Sequence, residues 1–474
     1  MVFTSVIFLF LFLPLTLVVY YLLPSLKLKN LWLLIVSLIF YAWGEPKFVI
    51  IMIGEIIINY FLALLIDKFK ERKSIKLFFM LSTVVIDIGI LCFYKYINFL
   101  FININKLSSI LNIDVNLNIL NLTLPIGISF FTFQALSYVI DVYRKEVPVQ
   151  KNILNLGLYI SLFPQLVAGP IVRYIDVETE ILKRNHKFDD FYMGIRRFII
   201  GFSKKILIAN TLGKTADIMF SNVDNLNAAS SWFGIICYSF QIYYDFSGYS
   251  DMAIGLGHMF GFTFKENFNY PYIAKGIQDF WRRWHISLST WFRDYLYIPL
   301  GGNRKGLKRT YLNLFIVFFA TGIWHGASWN FIIWGCFHGM FMILERCKII
   351  NIPKMNPILA RTYTLLVVMV GWVFFRIEGF RNSIEVIKSL FSLSSFNINS
   401  ILHTLNKEVI IMLIMALIFS MPIVKYFNKF IEPKYKKISS ILYLIQDIFI
   451  FFIFIISITY MIASSYNPFI YFRF

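Results

Sequence analysis

Hydrophobic runs long enough to cross a bilayer recur from one end of this chain to the other, and that excludes most folds. A run of about 20 apolar residues matches the thickness of the hydrocarbon core. Lipid offers the backbone no hydrogen-bond partner, so each run must satisfy its own N–H and C=O groups. The runs are continuous rather than alternating, which selects helices over a barrel. Composition agrees: 58% of the 474 residues are hydrophobic and only 15% are charged, against about a quarter in an ordinary soluble domain. The expectation is an all-α polytopic membrane protein.

The formal charge is +19, from 45 Lys and Arg against 26 Asp and Glu. In a soluble chain such an excess would suggest nucleic acid. Here basic loops that hold orientation and face anionic headgroups explain it better, and no nucleic-acid partner is expected. Cys92, Cys237, Cys336 and Cys347 are scattered and lack the spacing of a metal or disulfide framework, so they read as small hydrophobes and no metal is expected.

The first run, "TSVIFLFLFLPLTLVVYYLL", has lysines after it and no basic residue before it. A cleavable leader has the opposite charge order, so this run reads as a permanent span with its N-terminus outside. Further runs lie near 31–43, 48–66, 77–101, 122–143, 198–212, 231–262, 311–325, 328–345, 361–379, 408–424 and 441–463. The basic loops "DKFKERKSIK" and "KYFNKFIEPKYKK" belong inside, which gives roughly ten or eleven spans. The apolar segment "LGLYISLFPQLVAGPIV", broken by Pro164, Gly169 and Pro170, reads as re-entrant, because irregular backbone at that depth must be shielded by protein. The basic, tryptophan-rich region 263–309 is too charged to cross and should lie along the cytoplasmic interface. A single membrane domain is expected over 1–474, with N-terminal spans to 121, a catalytic core over 122–346 and C-terminal spans over 347–474.

Three constellations could carry chemistry. In "TGIWHGASWN", His325 sits among Trp324, Trp329, Gly322 and Gly326. An ionisable group in an apolar run usually faces a cavity or a partner, although a packing histidine bonded to a carbonyl is about as common. The four-residue glycine spacing suggests a bare helix face that a neighbouring helix or a slim substrate can approach. An apolar surround favours the neutral ring, which can take a proton. In "DFWRRWHISLSTWFRDYLYIPLGGNRKG", His285 is flanked by Arg282, Arg283 and Trp284, with Arg293, Arg304, Lys305, Lys308 and Arg309 downstream. That dress suits phosphate-bearing molecules, and headgroup contact is the plainer alternative. In "QIYYDFSGYSDMAIGLGHMFGF", Asp245 and Asp251 should not face lipid, and hydrogen bonding within the helix bundle competes with a catalytic role. The remaining histidines are weaker candidates; His338 stands out of phase with His325.

Taken in order, "PQLVAGPIVRY", "YYDFSGYSDMAIGLG", "ENFNYPY", the run around His285, "TGIWHGASWN" and the C-terminal "FIYFRF" resemble the membrane-bound O-acyltransferase (MBOAT) family, closest to its bacterial alginate O-acetyltransferase branch. The resemblance implies a helical shell around a tunnel, with the acyl donor arriving from the cytoplasm and the acceptor from outside. It makes His325 the catalytic histidine and His285 a second functional one. Arg282, Arg283, Trp284, Trp324, Asp245, Asp251 and Asn330 are the substrate-binding candidates that go with them. It further implies no bound cofactor, acetyl-CoA as the thioester donor, a polysaccharide acceptor, and a separate serine-hydrolase-type partner outside the plasma membrane. Two rival expectations are D-alanyl transfer from a carrier protein to teichoic acid and non-enzymatic transport of a lipid-linked sugar. The second expects inverted repeats, and none is visible in the sequence.

Overall fold

The computed structural model describes the chain except residues 168, 222, 224, 225, 393–395, 425, 427–435, 465 and 471–474, and no side chain is described at 436–440. Most of "KYFNKFIEPKYKK" and the last four residues of "FIYFRF" therefore lie outside the described residues. Every regular element among the described residues is helical. They form two compact units, one of 1–194 with 256–265 and the other of 195–255 with 266–474.

The first unit holds α1 (Leu13–Leu22), α2 (Leu26–Ala42), α3 (Val49–Lys68), α4 (Lys73–Leu111), α5 (Ile128–Arg144), α6 (Ile153–Ser161), α7 (Phe163–Leu166) and α8 (Tyr174–Leu182). The apolar segment expected to be irregular is so. It folds as the short α6 and α7 followed by extended backbone, and Gly157 to Val167 are buried. Its polar groups are met inside the protein: Tyr159 Oη donates to the Val172 carbonyl at 3.0 Å, and the Phe163 N–H donates to Ser37 Oγ at 3.1 Å.

The second unit takes most of α9 (Phe188–Ser203), which runs through a π-helical stretch, Lys204–Ala209, into α10 (Asn210–Met219). It also takes most of α11 (Ala228–Met259), then α12 (Ile277–Arg283), α13 (Ile286–Phe292), α14 (Leu307–His325), α15 (Trp329–Arg346), α16 (Pro357–Arg376), α17 (Phe380–Leu390), α18 (Asn399–Leu402), α19 (Lys407–Phe419) and α20 (Lys436–Ala463). Among the described residues four helices are long and apolar enough to cross a membrane: α3, α4, α16 and Ile441–Ala463 of α20. The other expected runs are largely helical as well; some are shorter, such as α2 and α5 at 17 residues each, and others, such as the 32-residue α11, are interrupted by polar and charged residues. Side chains such as Gln134, Asp141, Lys205 and Asp245 break their apolar character and are covered by the protein itself.

Glycine sets the spacing of two helix pairs in this unit. A Cβ on Gly201 of α9 would lie 2.5 Å from the Gly248 carbonyl of α11, and a Cβ on Gly322 of α14 would lie 2.5 Å from the Phe331 carbonyl of α15. Gly335 of α15 faces Gly322 in turn. Backbones this close exchange dispersion contacts that side chains would prevent. Gly322→Val should lower the thermal midpoint of the detergent-solubilised chain, by the ~1–3 kcal/mol typical of overpacking. Gly54→Ala, whose Cβ would meet open space, should not.

In the first unit the loop after α8 is pinned by charge and hydrogen bonds. Arg184 Nε donates to Tyr20 Oη at 2.9 Å, Tyr20 Oη donates to the Phe260 carbonyl at 2.9 Å, and His186 Nε2 stands 2.7 Å from the same hydroxyl. The tyrosine proton is committed to Phe260, so His186 Nε2 is the donor. Burial, helped by Lys29 and Arg184, pushes the His186 imidazole down to about 4, against an ordinary value near 6.5. A depressed value means that the folded state resists protonation. The stability is complete above about 6.5 and is lost as pH falls from there towards 4. Acidification from pH 7.5 to 5 should lower the thermal midpoint of the wild-type chain more than that of His186→Gln.

Candidate active site

His325 is the last residue of α14, and the helix stops there because the backbone turns extended at Gly326. That φ, −174°, suits any residue; glycine is required for space, since a Cβ would strike the Phe331 ring. Gly322 and Gly326 therefore do not share a helix face. Gly322 receives α15, and Gly326 receives a ring. Ser328 then caps α15, its Oγ accepting the Asn330 N–H at 3.3 Å.

The imidazole of His325 is 5% exposed. Three rings stand edge to face with it: Trp324 at 5.0 Å between centroids, Trp334 at 4.9 Å and Phe375 at 5.2 Å. Trp329, close to His325 in the sequence, is not among them, because it opens α15 and is 55% exposed. Trp324 reaches the other way to His285, 6.2 Å between centroids. The structure thus brings the two sequence-predicted histidines into contact with one indole.

His285 is almost wholly buried and caps α13 in the left-handed region, at φ +44°. A side chain held there by its surroundings is a common mark of a functional position. The surroundings are specific. The Ser287 N–H donates to Asn267 Oδ1 at 3.1 Å, and Ser287 Oγ donates to it at 2.9 Å. A backbone N–H can only donate, so this atom of Asn267 is the oxygen. His285 Nδ1, 3.2 Å from it, therefore carries the proton, and the lone pair is left on Nε2. Burial pushes the His285 imidazole down to about 3, keeping it neutral. Asn267 went unremarked in the sequence, although it lies within "ENFNYPY". Its importance needs the fold to carry it to a residue eighteen positions on.

Glu345 of α15 anchors this segment, its carboxylate accepting the N–H groups of Ile277 at 2.6 Å and Gln278 at 3.0 Å. Trp284 packs against Phe268, Phe280 and Trp372, with centroids 5.0–5.6 Å away. Arg283 is held by Asp279 at 2.9 Å, while Arg282 is exposed. Asn330 is buried and donates to the Ile377 carbonyl at 2.6 Å and to Ser383 Oγ at 2.9 Å.

The two aspartates join helices. Asp245 pairs with Lys205 at 2.5 Å and accepts the Ile470 N–H at 2.8 Å; Asp251 pairs with Lys204 at 2.6 Å and Arg197 at 2.9 Å. Both lysines come from the π-helical stretch Lys204–Ala209, whose wider turn presents adjacent residues to α11. The Phe469 ring packs against Tyr249 at 4.9 Å between centroids, so the described start of "FIYFRF" is tied to the same helix.

Sequence phase set His338 aside, yet it lies one ring away from His325. It is fully buried, with centroids 5.2 Å from Trp334 and 5.1 Å from Trp281. Both of its nitrogens, and Nε1 of Trp281 and Trp334, lack a hydrogen-bond partner among the described residues. An unmet buried polar group costs about 1–3 kcal/mol. Removing one partner of the buried Lys205–Asp245 pair should be more damaging still. Asp245→Ala should destabilise the chain by about 3–5 kcal/mol, and adding Lys205→Met should restore much of it, as read from thermal unfolding of single and double variants.

Residues 144–384, which include both histidines, match the profile of MBOAT, the membrane-bound O-acyltransferase family. The chain is 40% identical to the probable alginate O-acetylase AlgI of Pseudomonas putida over all of both chains. It is 43% identical to the protein of that name from Pseudomonas aeruginosa, over 85% of this chain and 77% of the relative. It is also 36% identical to the peptidoglycan O-acetyltransferase of Helicobacter pylori, over 84% and 81%. With a buried histidine pair in a helical membrane protein and these matches spanning it, the chain belongs to the MBOAT family and is a membrane-bound O-acyltransferase.

Proposed function

We propose that the chain moves an acetyl group from a cytoplasmic thioester, acetyl-CoA, across the plasma membrane for O-acetylation of an extracellular polysaccharide. The observation that carries this reading is the placement of His325 and His285 about a shared Trp324, in a chain whose relatives are named for O-acetyl transfer to alginate or peptidoglycan. A phosphorylated donor cannot cross hydrocarbon and a polymer outside cannot re-enter the cell. Chemistry inside a multi-pass shell of ten or eleven spans meets both needs. His325 acts as general base on the accepting hydroxyl, a contribution of about 10²–10⁴ in rate. The activated oxygen attacks the thioester carbonyl, and the proton passes to the departing thiolate. His285, with its tautomer set by Asn267, orients the donor, and the arginines beside it meet the donor's phosphates. The apolar rings keep water from the thioester. A separate serine-hydrolase-type protein outside the membrane completes transfer to the polymer.

His325→Ala at wild-type abundance should abolish surface O-acetylation, read from acetyl release by mild base; full acetylation would overturn the reading. Labelled acetyl-CoA should pass its label in membrane vesicles, whereas transfer only from a charged carrier protein would replace acetyl-CoA as donor.

A further inference from the structure

Trp281, Trp334 and His338 form a triangle of edge-to-face rings, with centroids 5.5, 5.2 and 5.1 Å apart. Trp334 is also one wall of the His325 cage. Within the triangle the polar atoms are unevenly matched. Each indole offers an N–H and no acceptor. A neutral imidazole adds one donor and one acceptor. Among the described residues none of these atoms finds a hydrogen-bond partner, and all are buried. Ring faces take up an N–H only weakly. His338 Nε2 abuts the backbone of α16 at Gly371, where even a Cβ would collide with it. Donors outnumber acceptors here, so what the triangle lacks is an oxygen able to accept.

We infer that Trp281, Trp334 and His338 form a receiving site for the carbonyl oxygen of the thioester. This rests on the reading of His325 as the general base. When His325 removes the hydroxyl proton, the acceptor oxygen bonds to the carbonyl carbon and the C=O electron pair moves onto the carbonyl oxygen. That oxygen becomes an oxyanion, and N–H donors waiting beside it stabilise it without reorganising. The pair then returns, the C–S bond breaks, and the proton on His325 passes to the sulfur. An ordered water occupying the same donors would satisfy them equally well at rest and contribute nothing to the rate.

The test compares variants placed in the native host in place of the wild-type chain, reading acetyl transfer from labelled acetyl-CoA in its membrane vesicles. Trp281→Phe and His338→Leu should each lower kcat by about 10²–10³-fold, with KM for acetyl-CoA within threefold and the thermal midpoint little changed. His338→Gln, which keeps a donor, should recover part of the rate. Should the truncations fail to fold, 3-benzothienylalanine at position 281 replaces the Nε1–H by sulfur and keeps the ring shape; kcat should then fall at least tenfold. A kcat within threefold of wild type in that chain, or in folded Trp281→Phe and His338→Leu, overturns the inference and leaves water as the occupant. His325→Ala in the same assay separates the two failures. If it too retains activity, the general-base reading has failed; if it alone is inactive, only the carbonyl site has.

Discussion

The close contact of α14 and α15 fixes the place of His325. Gly322 and Gly335 let the two backbones touch, and the Phe331 carbonyl fills the space a side chain would have taken. With the hairpin closed so tightly, α14 must end where α15 begins, and the residue at that end is His325. Trp334, one turn into α15, is thereby pressed against the imidazole. A wider hairpin would leave the ring to water.

The rest of the site is arranged around this fixed point by polar contacts that cross between elements. Glu345, near the far end of α15, caps α12 and so carries the histidine hairpin's position to the segment that holds His285. Asn267 then fixes the His285 tautomer. The Asp245–Lys205 and Asp251–Lys204 pairs join α11 to the π-helical stretch Lys204–Ala209. Of the two, the Asp245–Lys205 pair is buried, and buried pairs contribute little net stability compared with apolar packing but are damaging to break. Their value here is geometric: they hold α11, whose Phe246 lies 4.5 Å from the His285 ring, in one register.

What could be read from the residues follows from how local the signal is. Apolar runs announce helices because each helix satisfies its own backbone: α3 and α16 begin and end close to the ranges read from hydropathy, while α4 continues to Leu111, well past the apolar run at 77–101. His325 was visible because an ionisable group in an apolar run is expensive anywhere. Its true walls were not. Trp329 is nearer in the chain than Trp334 or Phe375, yet it is the exposed one, because the helix breaks at Gly326 and restarts with a new phase. The same break defeats the phase argument against His338, which compares positions on two different helices. Asp245 and Asp251 stand out as carboxylates in an apolar run, but their lysine partners lie 40 and 47 residues upstream on a π-helical turn that no periodicity announces. Asn267 and Trp281 matter only through contacts made by the fold.

A general base at His325 requires the thioester and the accepting hydroxyl to meet at its ring. An experimental structure with a non-hydrolysable thioether analogue of acetyl-CoA tests this most directly. The analogue's carbonyl carbon should then lie within about 4 Å of the His325 ring, close enough for attack by an oxygen that the ring activates. An analogue bound elsewhere, with the imidazole still enclosed by Trp324, Trp334 and Phe375, would contradict it.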